Sequence, residues 1–177
     1  MRDAKILVLG LNSAHALDHH FRARAAIHAA ALSHALDRIR GDAATAGFLR
    51  IAVWHHPVDS AFEDRITDHG FLQRLADDGF RLGLHGHVHK AESSLYRYDV
   101  DAGGRRIEIV TAGTFGAPIP EWVPGFPLQY QLLRFDGATL TVETRRREEP
   151  NGAWQPDARW TSARGRDPRP RYTRSLA

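Results

Sequence analysis

The sequence predicts a layered α/β fold, in which a parallel βαβαβ segment is followed by antiparallel hairpins. In the first half, three short apolar runs alternate with helical patterns, which is typical of parallel strands joined by crossovers. In the second half, glycine- and aspartate-bearing turns separate pairs of alternating segments, which indicates hairpins. We therefore expect a β-sandwich flanked by helices.

The elements of the first half follow from apolar runs and from periodicity. The apolar runs are short and end at Gly10 or at histidine, as expected for buried strands. Apolar residues recur at helical spacing before Gly41, which predicts a long first helix with a glycine cap. The predicted strands are 5–9, 49–54 and 80–84, and the predicted helices are 21–40 and 68–78.

The second half is predicted to contain two hairpins and an irregular tail. Strands at 94–100 and 105–111 form the first hairpin, and strands at 128–135 and 139–145 form the second. The segment 112–127 is rich in glycine and proline and is predicted to be a loop. Residues 1–148 are expected to form the domain, and 149–177 an arginine-rich irregular wrap.

The amino-acid composition excludes several kinds of active site and of binding partner. The absence of cysteine excludes disulfides, thiolate metal sites and a cysteine nucleophile, and it fits a reducing cytoplasm. No apolar stretch is long enough for a membrane span, so we expect no membrane partner. The formal net charge of +3 comes almost entirely from arginine. Acidic residues interleave the basic tail, which favours a solvated surface over nucleic-acid binding.

Histidines follow two of the predicted parallel strands directly. His55 and His56 come after 49–54, and His87 and His89 come after 80–84. The carboxyl ends of neighbouring parallel strands lie at one edge of a sheet, where ligands collect. Imidazole is a good ligand for zinc, iron, manganese and nickel. The pattern predicts a metal site at this edge.

The two motifs, His-His-Pro and Gly-His-Val-His, resemble those of the calcineurin-like metallophosphoesterases over residues 5–116. The resemblance implies that His55 and His87 bind one metal ion and that His89 binds a second. It implies a catalytic position for His56, which would orient His55 or face a phosphate-ester substrate. The expected cofactors are two divalent ions, with Mn, Fe, Zn and Ni all open.

Further residues are substrate-side candidates. Gly-Leu-Asn-Ser at 10–13 and Ala-Gly-Thr-Phe-Gly at 112–116 resemble family segments near the site, which makes Asn12 and Thr114 candidates. His19 and His20 are candidates for the pocket border, although the favoured interpretation places them on the surface.

The aspartate motifs of that family, Asp-x-His, Gly-Asp-x-x-Asp and Gly-Asn-His, have no recognisable counterpart in this sequence. Two dications about 3.5–4 Å apart need anionic ligands, which neutral imidazoles do not supply. We therefore expect a truncated or split phosphoesterase that is inactive alone. The alternative is a non-catalytic binding or regulatory remnant holding at most one metal ion. The expected partner is a separate N-terminal half, or a second copy joined through an unpaired sheet edge.

Overall fold

The computed structural model describes residues 4–20, 23–60, 64–101, 104–116, 125–149, 151–161 and 167–177. The chain divides into two units, the first comprising Met1–His87 with Ser93–Val110 and the second Val88–Glu92 with Thr111–Ala177. The sequence-predicted boundary after residue 148 falls inside the second unit. Among the described residues, no helix is long and apolar enough to cross a lipid bilayer.

A five-stranded sheet is the framework of the first unit. Its strands are β1 (Ile6–Gly10), β2 (Leu49–Val53), β3 (Phe80–His85), β4 (Glu92–Arg97) and β5 (Arg106–Thr111), in the order β1-β2-β3-β5-β4. β1 pairs with β2 and β2 with β3, both in parallel. The predicted mixed α/β fold with a parallel βαβαβ segment is therefore confirmed, and the three strands share one carboxyl edge.

The first helix, α1 (Ala29–Gly41), is shorter than the predicted 21–40. The His28 side chain caps α1 by accepting a hydrogen bond from Ala31 N, so the helix begins there. Ala26 instead bridges to Ala14, which holds the chain before the helix in an extended form. The second helix, α2 (Gly70–Asp77), agrees with the prediction to within two residues.

The strand predicted to be buried at 5–9 is an edge strand, and this prediction was wrong. Among the described strands, β1 pairs only with β2. Val8 in this strand is 53% exposed. An edge strand leaves backbone donors and acceptors unpaired, which favours association with another chain.

Apolar side chains of the helices and strands form the core of the first unit. Trp54 packs edge-on against Phe71 of α2, with ring centroids 5.3 Å apart. Gly83 in β3 leaves room for the indole: a Cβ at this position would lie 2.5 Å from Trp54 Cη2 and 2.6 Å from Ile109 Cδ1. Because Trp54 directly precedes His55, this packing fixes the end of β2 and the start of the histidine motif.

We expect Gly83→Ala to destabilise the protein by about 1–3 kcal/mol, since the new methyl group must displace Trp54 or Ile109. Gly10→Ala is the matched control in the same sheet, because a Cβ there would meet no atom within 4 Å. Urea unfolding of the two variants tests the difference. If Gly83→Ala and the wild type unfold at the same urea concentration, the close packing of Trp54 and Ile109 against Gly83 is contradicted.

A hairpin connects β4 and β5, as predicted. Tyr98 N donates to Arg105 O at 2.9 Å across the turn. Arg105 also hydrogen-bonds to the Asp99 side chain, through both its guanidinium and its backbone N–H, which lowers the pKa of Asp99 to about 2. The hairpin is thereby closed by charge-assisted hydrogen bonds.

The second unit is built on an antiparallel hairpin of β6 (Leu128–Asp136) and β7 (Thr139–Arg147), as predicted. Short strands follow: β8 (Gln155–Pro156), β9 (Trp160–Thr161), β10 (Pro168–Arg169) and β11 (Arg171–Ser175). The predicted loop at 112–127 lies partly outside the described residues, and 112–116 and 125–127 are neither helix nor strand.

The chain end is more regular than the predicted irregular wrap. β11 pairs with β7 in antiparallel register, and β8 also pairs with β7. Buried polar groups connect the tail to the hairpin, since Gln129 is fully buried and donates to Asp157. Asp157 in turn pairs with Arg159 at 2.7 Å. The tail sequence lacks apolar alternation, which is why its strand pairing escaped prediction.

Candidate metal centre

Three of the predicted histidines meet in the first unit. One ring nitrogen from each of His55, His56 and His87 lies within 4.8 Å of the others. His87 Nδ1 is 3.0 Å from His55 Nε2. The ring centroids lie 4.8 Å apart for His55 and His56 and 5.0 Å apart for His56 and His87. We call these three residues the histidine cluster.

The parallel ladder continues past the strand ends and brings the cluster together. Trp54 N donates to Leu84 O at 3.0 Å, and Gly86 N donates to His55 O at 3.2 Å. These two bonds carry the β2–β3 pairing into the histidine motifs, so that His55 and His87 approach each other. Both residues therefore lie at the shared carboxyl edge of β2 and β3.

His87 has an unusual backbone. Its φ is +69°, in the left-handed region that residues with a Cβ rarely adopt. Such conformations cost free energy and persist where the surrounding structure requires them, often at functional sites. Here the left-handed turn lies directly after β3, at the point where the ring meets His55. This strain supports a role for His87 beyond packing.

Asp64 is a member of the site that sequence reasoning missed. Its Oδ2 contacts His87 Nε2. Its other oxygen, Oδ1, is buried and has no hydrogen-bond partner among the described residues. Metal-binding histidines commonly donate their second N–H to a carboxylate, which fixes the tautomer and raises ligand basicity. In this arrangement His87 Nε2–H donates to Asp64, and the Nδ1 lone pair faces His55.

Ser13 is the second residue that was missed as part of the site. It lies three positions after β1 and is 2% exposed. Its Oγ accepts hydrogen bonds from the backbone N–H groups of His55 and His56, both at 3.2 Å. The same oxygen is 2.9 Å from His56 Nδ1. Ser13 therefore fixes the backbone of the His-His step and the orientation of the His56 ring.

His56 is the most buried of the cluster, with 5% exposure. Burial lowers its pKa below the ordinary histidine value, and the neighbouring His55 and His87 lower it further. Asp64 opposes this effect by raising the pKa. Burial outweighs the carboxylate, so the imidazole is neutral around pH 7.

The chemistry of these residues fits one divalent transition ion. His55 and His87 present nitrogen atoms 3.0 Å apart, and imidazole nitrogen is a common ligand for zinc and related ions. Asp64 places negative charge against His87 Nε2, on the side of the ring that faces away from His55. Among the described residues of the first unit, Asp64 is the carboxylate in contact with the cluster.

The structure also describes the five other predicted site residues. His89 belongs to the second unit and has a φ of +56°. Asn12 is exposed, and its Oδ1 accepts from Ala14 N at 2.9 Å to form a turn. His19 and His20 are exposed and lie against each other, with ring centroids 3.8 Å apart. Thr114, in the second unit, is buried, and its carbonyl accepts from Gln129 N. Contact of Asn12, His19, His20 or Thr114 with a substrate stays a prediction, as does metal binding by His89.

No protein-family model matches the chain, and no curated protein matches it. Among solved structures, it is similar to a single mutant of Vps29 from Entamoeba histolytica, with 18% identity, a TM-score of 0.33 and coverage of 84% of this chain and 96% of that chain. Wild-type Vps29 of that organism complexed with Zn²⁺ gives 16% identity, a TM-score of 0.34 and coverage of 96% and 99%.

Vps29 from Cryptosporidium parvum gives 14% identity, a TM-score of 0.33 and coverage of 85% and 95%. Vps29 chains have the calcineurin-like metallophosphoesterase fold. At these identities and TM-scores the likeness carries no argument about the activity of this chain.

Proposed function

We propose that this protein is the histidine-bearing part of a metal-dependent phosphoesterase and that it binds one divalent ion through His55 and His87. The observation that carries the proposal is the 3.0 Å approach of His55 Nε2 to His87 Nδ1 at the carboxyl ends of two parallel strands. The left-handed backbone of His87 and its contact with Asp64 support it.

The side chains around the ion position have distinct tasks. His55 and His87 hold the ion, and Asp64 keeps His87 oriented and offsets part of the positive charge. A bound divalent ion supplies Lewis-acid polarisation of a phosphoryl oxygen and lowers the pKa of a water molecule. A phosphate ester suits the site because the ion and the polar rings offer positive charge and donors to its oxygens.

Turnover of bis-(p-nitrophenyl) phosphate by the zinc-, manganese- or nickel-loaded chain tests this function. As a two-metal enzyme the chain alone should be inactive, as the sequence predicts. Through a single bound ion we expect only slow hydrolysis above the metal-only background, because one ion provides less charge than a pair. The His87→Asn variant should show the background rate. Failure of the wild-type chain to bind any of the three ions would overturn the proposal.

A second candidate is binding of one ion without catalysis. It is favoured because Asp64 is the one carboxylate among the described residues of the first unit that contacts the cluster, whereas paired-metal hydrolysis needs more anionic ligands. Stoichiometric metal uptake with no hydrolysis by the wild-type chain would support this candidate over the enzyme.

A further inference from the structure

The hydrogen bonds of Ser13 determine which nitrogen of His56 carries the proton. A serine hydroxyl has two acceptor lone pairs and one proton to donate. Both lone pairs of Ser13 Oγ are used by the backbone N–H groups of His55 and His56. The remaining contact, 2.9 Å to His56 Nδ1, must therefore be a bond that Ser13 donates.

We infer that His56 is not a third metal ligand but an N–H donor, held in the Nε2–H tautomer by Ser13, for an oxyanion bound beside the metal ion. With Nδ1 accepting from Ser13, the proton of the neutral ring lies on Nε2. A protonated nitrogen has no lone pair for a metal. The inference rests on the proposed function for its ligand, a phosphoryl oxygen, but the tautomer itself does not depend on a metal.

The alternative, in which His56 binds the ion through Nε2, conflicts with the contacts of Ser13. Nδ1 would then carry the proton and point it at Ser13 Oγ. Three N–H groups would converge on two lone pairs, and the buried hydroxyl proton would lose its acceptor. The three rings therefore divide into two ligands, His55 and His87, and one donor, His56.

Two metal ligands and one N–H donor together can bind a phosphoryl oxygen. A cation between His55 and His87 would attract the oxygen, while the neighbouring Nε2–H of His56 donates a hydrogen bond to it. Preorganised donors beside a cation stabilise negative charge without reorganisation. His56 would touch the substrate, whereas Ser13 acts through His56 and is a positioning residue.

Side-chain ¹⁵N–¹H correlation spectra of the ¹⁵N-labelled full chain test the tautomer directly. We expect a protonated Nε2 and an unprotonated Nδ1 for His56, both before and after zinc is added. Zinc should shift the ring nitrogens of His55 and His87 far more than those of His56. Protonation of His56 at Nδ1, or a zinc shift of its Nε2 as large as that of His55, would overturn the inference.

Matched variants test the donor with inorganic phosphate as the probe. In zinc-loaded protein, His56→Leu should weaken phosphate binding about 10- to 100-fold, because a hydrogen bond to a charged group is lost. His56→Gln keeps an N–H donor and should recover part of that loss. Zinc affinity should stay within about twofold in both variants.

The outcomes separate this inference from the proposed function. If the wild-type chain binds no zinc, the proposed function fails, and the tautomer spectrum still decides the assignment of His56. If zinc binds but His56→Gln and His56→Leu each lower zinc affinity tenfold or more, His56 is a ligand and the inference fails. Ser13→Ala should shift the His56 nitrogen signals toward a tautomer mixture, while Ser13→Thr preserves them.

Discussion

Replacing His87 with asparagine is expected to lower the affinity for zinc by about 100-fold or more. The change removes one of the two nitrogen atoms that face each other across 3.0 Å, and the remaining His55 cannot hold the ion alone. Asparagine tolerates a positive φ, so the backbone turn at +69° should survive. Competition with a chromophoric chelator measures the affinity, and circular dichroism checks the fold.

His34→Asn is the matched control for that variant. His34 is exposed on α1 and lies outside the histidine cluster, so its replacement should leave zinc affinity within about twofold of the wild type. If His87→Asn binds zinc as tightly as His34→Asn, the ion does not bind where we place it.

Asp64→Asn is expected to weaken zinc binding about 10- to 100-fold, the usual consequence of losing a carboxylate partner of a metal-binding histidine. Asparagine can still accept a hydrogen bond from His87 Nε2–H, so the variant isolates the effect of the charge. Asp64→Leu removes both charge and acceptor and should weaken binding further. Calorimetric titration with zinc measures the series.

Asp59→Asn provides the control for Asp64, since Asp59 is an exposed acid five positions earlier in the chain and lies outside the cluster. Its replacement should change zinc affinity by less than about threefold, because its charge acts only over a long, screened distance. Equal effects of Asp59→Asn and Asp64→Asn would mean that overall negative charge, rather than the contact with His87, assists zinc binding.

The sequence predicted the parallel strands and their shared edge because that prediction depends on local signals. Apolar runs that lead directly into His55 and His87 marked the strand ends, and the crossover rule then placed those ends together. The start of α1 was not predictable in the same way. His28 caps the helix although histidine is not among the usual capping residues, and Ala26 is held by a bridge to a distant loop.

The missing members of the site depend on contacts between segments far apart in the chain. Ser13 and Asp64 lie in polar segments without periodicity, where a serine or an aspartate is unremarkable. Their roles arise from hydrogen bonds to His56 and His87 that only the folded chain forms. The sequence predicted an unpaired sheet edge but did not show that β1 forms it, since an apolar run does not reveal how many neighbours the strand has.

A crystal structure of the zinc-loaded protein, with anomalous scattering recorded at the zinc edge, tests the central claim most directly. We predict one strong anomalous peak between His55 Nε2 and His87 Nδ1, with Asp64 hydrogen-bonded to the far side of the His87 ring and His56 outside the ligand set. An ion at another place on the chain, or no ion at saturating zinc, would contradict the account.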